Sequence, residues 1–95
     1  MEAKQLARLC RELADNKKAE DIVILDVHKQ SSVTDFFVIC TGQNARQIGA
    51  IADGVEETLK KEEAERPALV EGRDKSEWIL LDYFNFVVHV FSRDC

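Results

Sequence analysis

Apolar residues recur at three- and four-residue steps at Leu6, Leu9, Cys10 and Leu13, which predicts a helix with one apolar stripe over roughly Ala3 to Asp15. Asn16 and the pair Lys17-Lys18 close it, placing positive charge where the helix dipole favours it. The period then changes. "DIVILDV", Asp21 to Val27, is rich in β-branched residues and reads as a strand. "HKQSSVT" is a turn, and "DFFVICT", Asp35 to Thr41, is a second strand. Gly42 breaks that strand, and Gln43 or Asn44 can cap the next helix. Ile48, Ile51, Ala52, Val55 and Leu59 mark the buried face of this second helix. Gly49 and Gly54 inside it each cost about 1 kcal/mol relative to Ala, and they are read as places where its backbone packs closely on a sheet. The polar connection "ERPALVEGRDKSE" holds one short strand near Ala68 to Glu71. "WILLDY" and "FVVHVF" are two further strands, joined at Phe84-Asn85.

The order is helix, strand, strand, helix, then three strands, with no repeat and no linker. A strand–helix–strand crossover predicts a parallel, right-handed connection within the sheet, and the hairpins at either end predict antiparallel pairs. The fold class is therefore α/β: a single domain over residues 1–95 with a mixed sheet of about five strands.

The strands are more apolar than two helices can cover. Alternation puts Trp78, Leu80 and Asp82 on one face and Ile79, Leu81 and Tyr83 on the other. Phe86, Val88 and Val90 likewise oppose Val87, His89 and Phe91, and Asp35 to Thr41 is apolar on both faces. Strands of this kind want cover on both sides. Either one short helix covers each face, or part of the sheet stays bare, and a large bare apolar patch marks a partner site.

Composition narrows the classes. Apolar residues make up 45% of the 95 residues and charged ones 33%, as expected for one globular domain. No apolar run reaches the roughly 20 residues of a membrane span, and "MEAKQLARLC" has no signal-peptide core, so the expected compartment is the cytoplasm. A net charge of −5 argues against direct nucleic-acid binding and permits a basic protein partner. Cys10, Cys40 and Cys95 form no CxxC pair. Cys10 and Cys40 read as small core residues.

Enzyme chemistry finds little support. Asp26, Asp35 and Asp82 fall near strand ends, yet no Asp-x-Asp or Asp-x-Glu pair lies in a strand to hold magnesium against a phosphate. Thr41-Gly42 before a helix suggests a phosphate cradle, but neither GxGxxG nor Gly-Lys-Ser/Thr is present. His28 and His89 lie in different elements, without a GxSxG elbow to support a triad, and His89 reads as a satisfied strand histidine. Ser31, Ser32, Thr34 and Asp35 read as a turn whose side chains bond nearby amides. No cofactor, metal or catalytic residue is assigned.

Seven blocks, "DIVILDV", "SSVTDFFVICTG", "RQI", "IAD", "VEG", "WILLDY" and "VVHVF", stand in an order and spacing that resembles the Iojap family, the bacterial ribosomal silencing factors. The resemblance runs from about Leu6 to the last residue. It implies an α/β fold related to nucleotidyltransferases but lacking their catalytic carboxylates. It also implies a non-enzymatic repressor of translation that binds the fourteenth protein of the large ribosomal subunit and blocks joining of the small subunit. Organelle relatives act in ribosome assembly, and isolated members tend to form homodimers. Carried over by motif, the implied partner-binding residues are Trp78, Leu81, Asp82 and Tyr83, because Trp and Tyr anchor interfaces and Asp82 can meet a basic partner. Ser32, Thr34, Asp35, Thr41 and Gly42 are assigned to the fold. The alternative function is a nucleotide-binding or residual nucleotidyltransferase module. The chain departs from the family in two places. Phe84-Asn85 stands where many members have Gly-Asp, and Phe is expected to resist a positive φ. Members also usually continue past the position of Cys95 with a further helix, whose absence would expose more of the sheet.

Overall fold

Seven elements succeed one another in the computed structural model, which describes residues 1–74 and 77–93. They are α1 (Ala3–Asn16), β1 (Glu20–Asp26), β2 (Phe36–Gly42), α2 (Ala45–Glu63), β3 (Leu69–Glu71), β4 (Trp78–Asp82) and β5 (Phe86–Ser92). The strands form one mixed sheet in the order β1-β2-β5-β4-β3. β2 and β5 are parallel, with Val38 opposite Val88 and Cys40 opposite Val90. The remaining pairs are antiparallel. Order, mixed pairing and strand number match the expectation, with boundaries shifted by a residue or two. Cys95 and the Lys75-Ser76 part of the connection lie outside the described residues.

Local chemistry sets the helix ends. The Gln5 side-chain oxygen accepts from the Glu2 amide at 3.0 Å and starts α1. At its end Lys18 turns left-handed at φ 67, and the Ala19 amide reaches back to the Ala14 carbonyl at 3.0 Å. Asn44 caps α2, its side chain accepting from the Gln47 amide at 2.9 Å. Gln47 in turn accepts from the Gln43 amide and donates to the Lys17 and Lys18 carbonyls, locking the start of α2 to the end of α1. Of the amides just after the Thr41-Gly42 turn, those of Gln43 and Gln47 are taken by side-chain caps. Gly42 is there for space: a Cβ would sit 2.7 Å from Cγ2 of Ile48.

Both helices lie on the same side of the sheet. Leu6, Cys10, Ile48, Ile51, Val55 and Leu59 interlock there with Val38, Cys40, Ile79, Leu81, Val88 and Val90. Burial pushes the Cys10 thiol up to about 12 and the Cys40 thiol to about 11, so both are inert core groups. Tyr83 joins this core with its ring stacked 4.8 Å from Phe86. The two helix glycines do not play the part expected of them. A Cβ at Gly49 would meet nothing within 4 Å, and one at Gly54 would lie 3.2 Å from Cε of Lys17. The close approach is to the α1–β1 turn and not to the sheet.

Two connections carry the sharpest geometry. After β3, Arg73 pairs with Asp53 and Glu56 at 2.7 and 2.6 Å and ties the turn to α2. Gly72 there adopts φ 86, and a Cβ would lie 1.9 Å from the Trp78 carbonyl oxygen. In the opposite connection, between β4 and β5, Phe84 adopts φ 76 despite its bulk. The Asn85 amide bonds the Tyr83 carbonyl at 2.9 Å, two residues back, which makes a γ-turn of the rare, strained hand. The Asp82 carboxylate holds the Phe84 amide at 2.8 Å, and the Asn85 carbonyl accepts from the Asp35 amide at 3.0 Å. A left-handed conformation costs an L-residue about 1–2 kcal/mol. The expectation that Phe would avoid positive φ is thus overturned: bonds on both sides of the residue impose it.

Gly72→Ala is expected to lose roughly 2–4 kcal/mol of stability, since it meets both backbone strain and a carbonyl overlap. Denaturant melts measure this directly, and an unchanged midpoint would refute the geometry.

Candidate functional site

The face of the sheet opposite the helices has no second layer among the described residues. Alternation sends Val23, Leu25, Phe37, Ile39, Trp78 and Leu80 to it, and none of them belongs to the helix-side core. At the two edges Val23, Leu25 and Leu69 are 45%, 42% and 48% exposed. Toward the centre Phe37, Ile39, Trp78, Leu80 and Phe91 are half-buried, sheltered only by one another. Val87 on this face is buried, at 6%.

An aromatic cluster forms the middle. Trp78 on β4 sits opposite Phe91 on β5, and their rings stack at 5.9 Å. His89 stacks on both at 5.9 Å and meets the edge of Phe37 on β2 at 5.3 Å. Such ring pairs contribute about 0.5–1.5 kcal/mol each beyond area. The Trp78 indole donates its Nε1–H to Nδ1 of His89 at 3.3 Å. Neutral His89 therefore carries its proton on Nε2, the nitrogen left to meet an outside acceptor. Burial holds the His89 pKa below its ordinary 6.5, against the pull of the Asp82 charge.

Charge lies at the rim. Glu71 stands across from Leu80 on the β3 edge and Asp82 at the end of β4, both on the bare-face positions of their strands. At the opposite corner Arg93 bridges to Glu20. The Asp26–His28 pair sits in the β1–β2 connection, and their hydrogen bond lowers the Asp26 pKa and raises that of His28.

The four residues implied by the motif do not share a surface. Trp78 and Asp82 are half-exposed on the bare face. Leu81 is fully buried and Tyr83 is 6% exposed, both under the helices. The reason is the two-residue strand period, which separates Trp78 and Asp82 from Leu81 and Tyr83. The Tyr83 hydroxyl is buried without a partner among the described residues, and burial raises its pKa. What the motif missed is the rest of the cluster: Phe37, Leu80, His89 and Phe91. The signal was available, because each lies on the alternate positions of a strand that is apolar on both faces.

Among the described residues no catalytic constellation assembles, and no three His, Cys, Asp or Glu side chains gather in a way that could hold a metal. Among the described residues, hollows lie beside Lys18 and Arg46 at the start of α2 and beside Arg8 and Arg11 on α1. No described helix is long and apolar enough to cross a membrane.

Comparison with known proteins places this architecture. The family model described as ribosomal silencing factor during starvation matches residues 1–95. A ribosomal silencing factor of Haemophilus influenzae is 38% identical over 89 residues, covering 94% of this chain and 86% of its own. That of Bacillus subtilis is 36% identical over 94 residues, covering 99% of this chain and 79% of its own. A crystal structure of a Chromobacterium violaceum protein superposes with a TM-score of 0.92 at 34% identity, covering 97% of this chain and 76% of that one.

The depressed His89 pKa gives a signed pH effect. The unfolded chain binds the extra proton near pH 6.5 and the folded chain only below that. Stability present above 6.5 is therefore lost as pH falls through the folded value. Wild type is expected to lose thermal stability below pH 6.5 more steeply than His89→Gln, whose amide can still accept from Trp78 but does not titrate. Emission from Trp78, the chain's only tryptophan, should change in the same window in wild type alone. Superimposable pH profiles would refute the cluster. His28, its pKa raised, titrates on the other side of 6.5 and does not mimic the effect.

Proposed function

The chain belongs to the ribosomal silencing factor family, and from that premise we propose that its bare sheet face docks on the large ribosomal subunit. The contact is with the fourteenth protein of that subunit, and the docked domain keeps the small subunit from joining. The observation that carries this reading is the apolar face itself, with stacked aromatics at its centre and carboxylates at one rim. Trp78 is the anchor, and Asp82 meets a basic side chain of the partner. Leu81 and Tyr83 act from behind, by holding β4 flat against α2.

Occlusion asks little of the protein. The domain measures 32 × 30 × 21 Å, so once docked it fills space that an arriving subunit must occupy. No bond is made or broken, which fits a regulatory role for the family rather than an enzymatic one. In free solution the face is sheltered in a homodimer, and translation is repressed in the cytoplasm when the face is released to the ribosome.

Cosedimentation with purified large subunits tests the reading. Wild type is expected to pellet with them. Trp78→Ala is expected to weaken binding roughly thirtyfold, the effect of removing an anchor worth about 2 kcal/mol. Asp82→Asn is the cleaner probe of charge, because the amide oxygen still accepts from the Phe84 N–H while the negative charge is gone. Its binding should fall and lose much of its salt dependence. Melting curves for each variant separate lost binding from lost folding. Folded variants that pellet as well as wild type would place the contact elsewhere, with the helix from Asn44 to Lys61 the next surface to test.

A further inference from the structure

Among the described residues, four besides glycine adopt positive φ: Lys18, Asp21, Ala64 and Phe84. Three have an evident local reason. Lys18 and Ala64 terminate α1 and α2, and Asp21 sits at the irregularity in the β1–β2 register. Phe84 differs. It is the largest of the four and occupies a strained γ-turn that Gly would fill without penalty and Asn at less cost than Phe. The residue is 71% exposed, and its ring takes part in no aromatic contact among the described residues. The fold therefore gains nothing visible from a phenyl group at this position. Backbone strain maintained by the surrounding bonds is a mark of functional positions, and here it is observed rather than assumed.

The turn also lies where the docking face needs more area. Five strands about 4.8 Å apart and some 20 Å long make a face of roughly 500 Å². A stable protein interface takes about 800 Å² from each partner. The rim must supply the remainder, and the β4–β5 turn continues directly from Asp82, whose carboxylate holds the Phe84 amide. The charge at this end selects the partner. Asp82 stands at the turn itself, and Glu71 lies on the same face one strand over, opposite Leu80, so a phosphate backbone would be repelled while a basic protein surface would be attracted.

We infer that Phe84 is a specificity anchor: its ring extends the bare face past Asp82 and inserts into an apolar cavity on a basic protein partner, next to the side chain that meets Asp82. The inference rests on the docking reading above and adds a contact particular to this chain's turn. The bonds on either side of Phe84 hold its backbone in the γ-turn, so little backbone freedom is lost on binding.

The substitution Phe84→Asn separates this role from a structural one, because Asn suits the left-handed turn and removes only the ring. The full chain and its variant are compared in melting curves and in cosedimentation with large subunits. The melting temperature of Phe84→Asn should equal or exceed that of wild type. Its affinity should nonetheless fall at least about tenfold, while Phe84→Tyr should bind within a few-fold of wild type. A Phe84→Asn variant that pellets like wild type, while Trp78→Ala does not, would overturn this inference and leave the docking reading standing. A variant that melts several degrees lower would also overturn it, showing that the ring serves the fold. Failure of wild type itself to pellet would sink both. Wild type that binds protein-free ribosomal RNA as tightly as the whole subunit would refute the basic protein partner.

Discussion

Both helices of this domain are used on one side of its sheet, and most of its other properties depend on that. Packed helices lie about 8–10 Å apart, so two of them span roughly the 20–25 Å width of five strands and leave nothing for the reverse. The parallel pairing of β2 with β5 puts the most apolar strands in the middle of the sheet. A soluble domain would ordinarily place polar side chains on an uncovered face. Here Phe37, Ile39, Trp78, Leu80 and Phe91 occupy it. The rings limit the cost by stacking on one another across β2, β5 and β4, and the polar edge among them, the Trp78 indole N–H, is satisfied by His89.

The same constraint explains what could be read from the sequence and what could not. Leu6, Cys10, Ile48, Ile51 and Val55 announce their helices because one side of each faces solvent, and the resulting periodicity is legible. The strands were legible as strands from their β-branched and aromatic content. Which face was bare was harder to read, because "DFFVICT" and "FVVHVF" are apolar on both. The surplus of apolar surface was visible in advance, but its location depends on both helices crossing to one side. The four motif residues Trp78, Leu81, Asp82 and Tyr83 lie close together in sequence and fall on opposite sides of a pleated strand in space. Gly49 and Gly54 misled for a different reason: a glycine in a helix signals a missing side chain and does not say what approaches it. Phe84 could not have been read at all, since its φ is imposed by bonds from Asp82 and by the Tyr83–Asn85 closure.

What net charge implies about a partner depends on where the charges sit. The carboxylates of Asp82 and Glu71 share a rim with the apolar face. Basic side chains such as Arg8 and Arg11 lie on α1, on the helix layer away from it. Over a screening length of about 8 Å, a partner meeting the bare face senses the local carboxylates more than the total charge. Steering and burial then act on the same patch. In the proposed docking, the rim charges would favour encounter with a basic surface and the aromatic centre would supply the affinity.

The strand-end aspartates tie the turns to the sheet. A fold of this kind could hold catalytic metal with paired carboxylates at those ends, and Asp26, Asp35 and Asp82 are placed near them. Each is instead engaged in a connection. Asp26 binds His28, its own turn neighbour. Asp35 bonds through its backbone, to Val27 on one side and Asn85 on the other. Asp82 holds the Phe84 amide. These bonds fix the turns that fix the register, and register decides which side chains reach the bare face. The Asp26 and Asp82 carboxylates and the Asp35 backbone thus shape the edges of the bare face, and the edges decide which of its side chains stand where a partner could meet them.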